Sequence, residues 1–340
     1  MMTSKERLYA RLQSKPVDKI PNMNIVMGLV AKLAGCSYRE FALDYRKLAE
    51  GNLRCVERYG IDAVSVISDP MREASAFGAV VEFPEDGVPF SPVPLLANAI
   101  NLNALRRIDP LDSPRTADRI RAVELLCKKA GDQYPVIGWV EGVLAELADL
   151  RGVNELMIDI ADDAEYLTEA MDIIFESQCR FAKAQVDAGS DFIGVGNAVA
   201  SLVGPVVYEK YAMPYDRQIV DYIHELGAKV KLHICGNIEP ILQLLKQVAP
   251  DILDIDWMVD FGSAVSTFAG HFTAVNGNID PVAVLLHGNA ETVQREVERC
   301  IAAGGKNTLI AAGCEVPAAT PEANLFLMDK LLYPANCPAK

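Results

Sequence analysis

No apolar run in this sequence approaches the roughly 20 residues that a membrane-spanning helix needs, so a protein embedded in a membrane is not expected. Positive charge is also scarce. The 32 Lys and Arg stand against 46 Asp and Glu, a formal net charge of -14 at pH 7. That balance, with no long basic block, argues against nucleic acid or an anionic membrane surface as a partner. Residues 1–11 are polar and charged and hold no apolar signal core, which predicts a cytoplasmic protein. The 8 cysteines form no CxxC pair, and the chain is far longer than the secreted scaffolds that depend on disulfides. Cys36, Cys55, Cys127, Cys179 and Cys300 lie in or beside helical patterns and read as buried thiols. No glycine-rich dinucleotide fingerprint follows the first apolar run.

What the chain does have is length and apolar content. With 340 residues, 51% of them hydrophobic, it can bury a large core. Short β-branched, apolar runs recur at 23–27, 63–68, 136–140, 192–195, 229–234, 252–256, 273–276 and 308–312. Amphipathic helical patterns at 164–188, 214–226, 238–248 and 292–303 separate several of them. Such alternation indicates parallel βαβ units. Eight units predict an α/β fold, a (β/α)8 TIM barrel occupying 1–340 as one domain. Residues 1–21 form an N-terminal extension, 335–340 a loose tail that contains Cys337. Residues 70–115, rich in proline and glycine, form an insertion after the second strand, placed to act as a lid. An open doubly wound sheet is the alternative, disfavoured by the missing fingerprint.

Barrel active sites gather at the carboxyl ends of the strands. The fifth run ends in Lys231-Leu232-His233-Ile234-Cys235-Gly236-Asn237, and the eighth leads into Gly313-Cys314-Glu315-Val316-Pro317. On an extended strand, side chains two apart share a face, so His233 and Cys235 can close on one ion. Cys314 would add a second sulfur. A His-Cys-Cys set with an open fourth position is a catalytic zinc pattern, whereas closed four-ligand sites are structural. Asp69, Glu141, Asn197, Asp256 and Asn278 stand at the ends of other runs, with Arg72 and Trp257 just beyond two of them. Glu141 and Asp69 are candidate catalytic groups; Asn197, Asp256, Trp257, Arg72 and Asn278 are candidate substrate contacts. Asn237 and Asp280 read better as helix N-caps. Tyr208, Tyr211, His224, His271 and His287 read as packing, surface or capping residues.

Over nearly its whole length the chain resembles the uroporphyrinogen decarboxylase superfamily. The resemblance is carried by Arg11-Leu12-Gln13-Ser14-Lys15-Pro16-Val17-Asp18-Lys19-Ile20-Pro21, Ser68-Asp69-Pro70, Gly138-Trp139-Val140-Glu141-Gly142, Gly277-Asn278-Ile279-Asp280-Pro281, and the segment from Gly313 to Leu325. The His233-x-Cys235…Cys314 set resembles the zinc signature of the corrinoid-linked methyltransferase branch, which includes methylcobamide:coenzyme M methyltransferases and O-demethylase methyltransferases. Two departures speak against decarboxylation. An arginine-rich stretch that grips a polycarboxylate in the decarboxylases is replaced by Met27-Gly28-Leu29-Val30-Ala31, and a Gly-His-Gly by Gly313-Cys314-Glu315.

The resemblance implies a zinc-dependent methyl transfer to or from the cobalt of cobalamin. Zinc lowers the pKa of a bound thiol, or stabilises an oxyanion leaving from a methyl ether. No Asp-x-His-x-x-Gly corrinoid signature is present, so the corrinoid is expected on a partner protein that docks over the barrel mouth. A small aromatic methyl ether, a methoxyaromatic, is the expected substrate. The form of the Gly-Cys-Glu-Val-Pro loop and the shortage of rim cations besides Arg72 favour it over a sulfonated thiol. A thiol acceptor of the coenzyme M kind is the alternative. A divergent decarboxylase and a non-catalytic zinc- or corrinoid-binding module remain as further readings.

Overall fold

The computed structural model describes residues 1–98, 100–105 and 109–334. The predicted tail at 335–340 lies outside the described residues.

Seven parallel strands run in sequence order around one sheet: β1 (Val64–Ser65), β2 (Val136–Glu141), β3 (Phe192–Gly196), β4 (Lys229–Ile234), β5 (Ile252–Ile255), β6 (Ala274–Ile279) and β7 (Leu309–Ala312). The eighth stave, expected as a regular strand at 23–27, is a single parallel bridge between Asn22 and Ile310. It still closes the barrel. Met23 N donates to Ile310 O (3.4 Å) and Ile310 N to Pro21 O (3.3 Å), joining the stave to β7. On the other side Asp62 N donates to Asn22 O at 2.8 Å. Side chains replace the missing ladder: Asn24 Oδ1 accepts from Ala312 N (2.6 Å), and Asp62 Oδ2 from Asn22 N (2.7 Å). Pro21 has no N–H to give a strand, so a seam held by side chains stands there.

The helical patterns appear as Tyr166–Asp187, Met213–Glu225, Leu242–Val248 and Ala290–Ala303. Their apolar faces pack on the outside of the sheet in one continuous core. Residues 70–115 are less irregular than their composition suggests, since helix Met71–Phe77 starts directly after Asp69-Pro70 and Glu82 bridges to Phe90. Helix Ser4–Leu12 opens with a capping box in which Thr3 Oγ1 accepts from Glu6 N and Glu6 Oε2 from Thr3 N. This helix stops the amino end of the barrel. Leu8 is fully buried among Met23, Ala63, Ile137, Phe192, Ile252, Ala274 and Leu309.

Parallel register sets which side chains share the interior. One row reads Trp139, Gly194, Lys231, Ile252 and Ala274; the row nearer the carboxyl ends reads Glu141, Gly196, His233, Asp254 and Asn276. Two glycines are required there. A Cβ on Gly194 would lie 2.2 Å from the Trp139 ring, and one on Gly196 would lie 2.8 Å from Glu141 Oε2. The indole therefore floors the upper barrel, and Glu141 lies over a notch beside His233.

Candidate metal centre

His233 and Cys235 leave the end of β4, and Cys314 follows the end of β7. One donor atom from each lies within 4.8 Å of the other two. His233 Nε2 is 3.0 Å from Cys235 Sγ, and the two sulfurs are 3.6 Å apart. The ligand loops are fastened from several directions. Asp256 Oδ2 accepts from Gly236 N (2.8 Å), Gly313 N donates to Ile279 O (2.8 Å), and Val316 N donates to Ile25 O (2.9 Å). Glu315 Oε1 accepts from Gly28 N at 2.8 Å.

The electrostatics suit a cation. Cys314 is held as a thiolate, its pKa lowered to about 4 by hydrogen bonding from the Cys235 thiol and by His233, against the opposing effect of burial. Cys235 is raised correspondingly by its bond to Cys314 and by burial. Burial lowers the His233 pKa, but Asp254 and Cys314 outweigh it and bring it to about 9. Asp254 Oδ2 is 3.0 Å from His233 Nδ1, which leaves Nε2 to face the sulfurs. Asp254 in turn pairs with buried Lys231 and accepts from Asn276 Nδ2. This donor set of one imidazole and two sulfurs, with the ring oriented by a carboxylate, fits a zinc ion.

Glu141 sits across the notch. Its Oε1 accepts from Arg72 Nη2 (2.7 Å) and Trp139 Nε1 (3.1 Å). Burial raises its pKa, Arg72 opposes, Glu73 adds to the rise, and the outcome is about 7. Behind it lie Glu73, Glu146 and Asp149, all with raised pKa values from burial first. Both carboxylate oxygens of Glu146 are buried without a hydrogen-bond partner among the described residues. Such groups favour the neutral acid.

Several expected site residues take other roles. Asp69, the second candidate catalytic group, is 3% exposed and bound by both terminal nitrogens of Arg115 (3.2 and 2.6 Å), by Ser68 Oγ and by Met71 N. It serves as a strand-end clamp. Arg72 is fully buried between Glu141 and the Asp69 carbonyl, so it is no free rim cation. Asn197 is also fully buried, and its amide nitrogen lies 3.0 Å from each carboxylate oxygen of Asp216. Asn278 donates to Asp256 O and Val259 O, and Asp256 caps the Gly236 and Met258 amides. All four are buried and engaged by protein groups, Arg72 and Asn197 by carboxylates, Asn278 and Asp256 by the main chain. Trp257 alone of the expected substrate contacts is exposed (45%), and its backbone nitrogen packs against Gly313, next to Cys314. Asp280 caps Val282 and Ala283, as its place before Pro281 predicts.

Sequence reasoning missed Asp254, Lys231, Gly196 and Asp216. A charged residue inside the apolar run Ile252-Leu253-Asp254-Ile255, and a Lys two positions before His233, were the available signals.

The uroporphyrinogen decarboxylase (URO-D) family profile matches residues 3–331. A methylcobamide:CoM methyltransferase of Methanosarcina mazei is 31% identical over 333 residues, covering 96% of each chain. A uroporphyrinogen decarboxylase of Citrifermentans bemidjiense is 25% identical over 335 residues, covering 93% of this chain and 94% of its own. Among solved structures, a methyltransferase from Methanosarcina mazei superposes with a TM-score of 0.87 at 23% identity, over 97% of this chain and 98% of the other.

Proposed function

Because the chain belongs to the uroporphyrinogen decarboxylase family, we propose that it is a zinc-dependent, corrinoid-linked methyltransferase that joins a methyl group carried on cobalt to the sulfur of a small thiol. The observation that carries this reading is the meeting of His233, Cys235 and Cys314 in a chain similar from end to end to a methylcobamide:CoM methyltransferase. The thiol replaces the aromatic methyl ether expected from the sequence, since no comparison supports an ether substrate and the methylcobamide:CoM methyltransferase named above favours the thiol.

His233, Cys235 and Cys314 would hold zinc, and a zinc ion so held lowers the pKa of a thiol bound beside it. The residues around it supply orientation and proton transfer. Asp254 keeps Nδ1 of His233 engaged, and Lys231 balances the Asp254 charge. A thiol that becomes a thioether gives up one proton. Glu141 is placed to accept it: the carboxylate lies across the Gly196 notch from His233 with a pKa near neutrality. The missing Cβ at Gly196 is what lets the Glu141 carboxylate and the Trp139 indole sit there.

The corrinoid comes with a partner protein in this reading. Leu202 (64% exposed), Val206 (78%, in the short helix Gly204–Val207) and Met258 (51%) stand in the segments after β3 and β5, and a partner bringing the macrocycle to the mouth would cover them. Residues 70–115 are proposed to take part in the same contact.

The test combines metal analysis with turnover. The purified protein is expected to hold one zinc, lost in Cys235→Ala and Cys314→Ala. With methylcobalamin it should methylate a thiol, such as 2-mercaptoethanesulfonate or 2-mercaptoethanol, and both variants should be inactive. Methylation of reduced cobalamin by a methoxyphenol, with no thiol turnover, would overturn the thiol assignment. Full activity in either cysteine variant would overturn the zinc assignment.

A further inference from the structure

The two places where the sequence departs from the decarboxylase pattern touch each other. Glu315, beside Cys314, reaches back to the Met27-Gly28 turn, and its Oε1 accepts from Gly28 N at 2.8 Å. The turn stands where the decarboxylases carry their arginine-rich grip. A main-chain amide there meets a carboxylate that belongs to the protein itself. The approach is close: a Cβ on Gly28 would lie 3.2 Å from Ala318 Cβ and 3.6 Å from Glu315 Oε1.

Cys314 needs such a tether more than the other ligands do. His233 and Cys235 are fixed relative to each other by β4, whereas Cys314 lies on the loop past β7, beside the stave that closes the barrel without a ladder. Contacts of that loop with the first stave and the helix after it include Val316 N to Ile25 O, Lys32 Nζ to Ala318 O, and the Glu315 carboxylate with the main chain of Gly28 and Met27. Lys32 is exposed, so its bond is weakly held in water. The Glu315 bond is charge-assisted, half-shielded, and one residue from the sulfur.

We propose that Glu315 is the positioning residue for Cys314, using the main-chain amide of Gly28 to hold the third ligand against the His233–Cys235 pair. The proposal rests on the zinc reading above. Outer residues that orient metal ligands typically contribute 10–100-fold, roughly, in metal affinity.

The experiment measures Zn2+ affinity by competition with a chelating dye, and the thiolate-to-metal absorption of the Co2+-substituted protein. Four proteins are compared: wild type, Glu315→Gln, Glu315→Met and Cys314→Ser. Gln keeps an oxygen that accepts from Gly28, whereas Met fills similar volume without an acceptor. The expected result is a loss of about 10–100-fold in affinity for Glu315→Met, with its Co2+ thiolate band falling toward that of Cys314→Ser. Glu315→Gln should stay near wild type in both. If Glu315→Met does not fold, Glu315→Asp, one methylene too short to reach Gly28 in place, should show the same fall. Wild-type affinity and band in Glu315→Met or Glu315→Asp, with loss in Cys314→Ser, overturns the proposal and leaves the zinc reading standing. Loss in Glu315→Gln as deep as in Glu315→Met also overturns it, because the tether would survive there. Wild-type affinity in Cys314→Ser overturns the zinc reading itself.

Discussion

Glu141 and His233 occupy one row of the barrel wall, two strands apart, with Gly196 between them. Two strand spacings place their backbones about 10 Å apart, and the side chains shorten that gap from both sides. The candidate proton acceptor and the candidate metal ligand thus share one row of the barrel wall, with the Glu141 carboxylate and the Trp139 indole packed over the glycine between them.

Glu141→Gln keeps the volume and removes the titration. A loss of about 100-fold or more in thiol methylation is expected, the usual scale for a positioned acid–base group. The pH profile is the sharper readout. A base with a pKa of about 7 gives a rate that rises with pH through that value, and this limb should be absent in the variant. Zinc content should not change.

Gly196→Ala places a methyl group 2.8 Å from Glu141 Oε2. The carboxylate must move out of the notch, so turnover should fall while metal affinity stays at the wild-type value. Overpacking of this kind costs about 1–3 kcal/mol, measurable by urea denaturation. Unchanged kcat and KM would show that the notch is not used.

The barrel itself was plain in the sequence, because its strands are apolar and its helices amphipathic. The meeting of His233, Cys235 and Cys314 was legible as well, because two of them leave one strand and the third sits in a distinctive loop. The first stave was not. Its closure depends on the side chains of Asn22, Asn24 and Asp62, and no apolar periodicity reports such bonds. Burial of polar rim residues was also hidden. Arg72, Asn197 and Asn278 have the chemistry of substrate contacts, but their partners Glu141, Asp216 and Val259 are remote in sequence or sit on the next helix or loop.

Zinc binding must displace protons. His233 has a pKa of about 9 in the metal-free protein, and the Cys235 thiol lies higher still. Ligands bind metal only when deprotonated, so apparent affinity should rise with pH from about 6 to about 9, roughly tenfold per unit for each proton released. Chelator competition across that range checks the slope. A flat profile would contradict the donor set.

Asp216 gives a stability test away from the metal. It is fully buried, and burial lifts its pKa from 3.8 to about 7 although Tyr208 and Asn197 donate to it. A raised carboxyl pKa means that the native state binds more protons than the unfolded state between those values. Stability contributed by this group therefore falls as pH rises from about 4 to about 7, at most about 1.4 kcal/mol per unit. Asp216→Asn removes this dependence. Relative to wild type, the variant should gain stability as pH rises from about 4 to about 7 and hold that gain above it, as followed by denaturant midpoints.

The N-terminal helix can be tested separately from chemistry. Leu8→Ala empties a fully buried position at the foot of the barrel and should cost about 2–5 kcal/mol. Folded protein should keep its metal affinity and its turnover per site, since the helix packs at the amino end of the barrel and the candidate site lies at the carboxyl ends of the strands.

The second sulfur has a consequence for biosynthesis. Cys314 follows the last stave, which docks on the first, so a chain still emerging from the ribosome has only two of the three candidate ligands in place. A metal that needs all three donors would then be taken up only after the first and last staves have met.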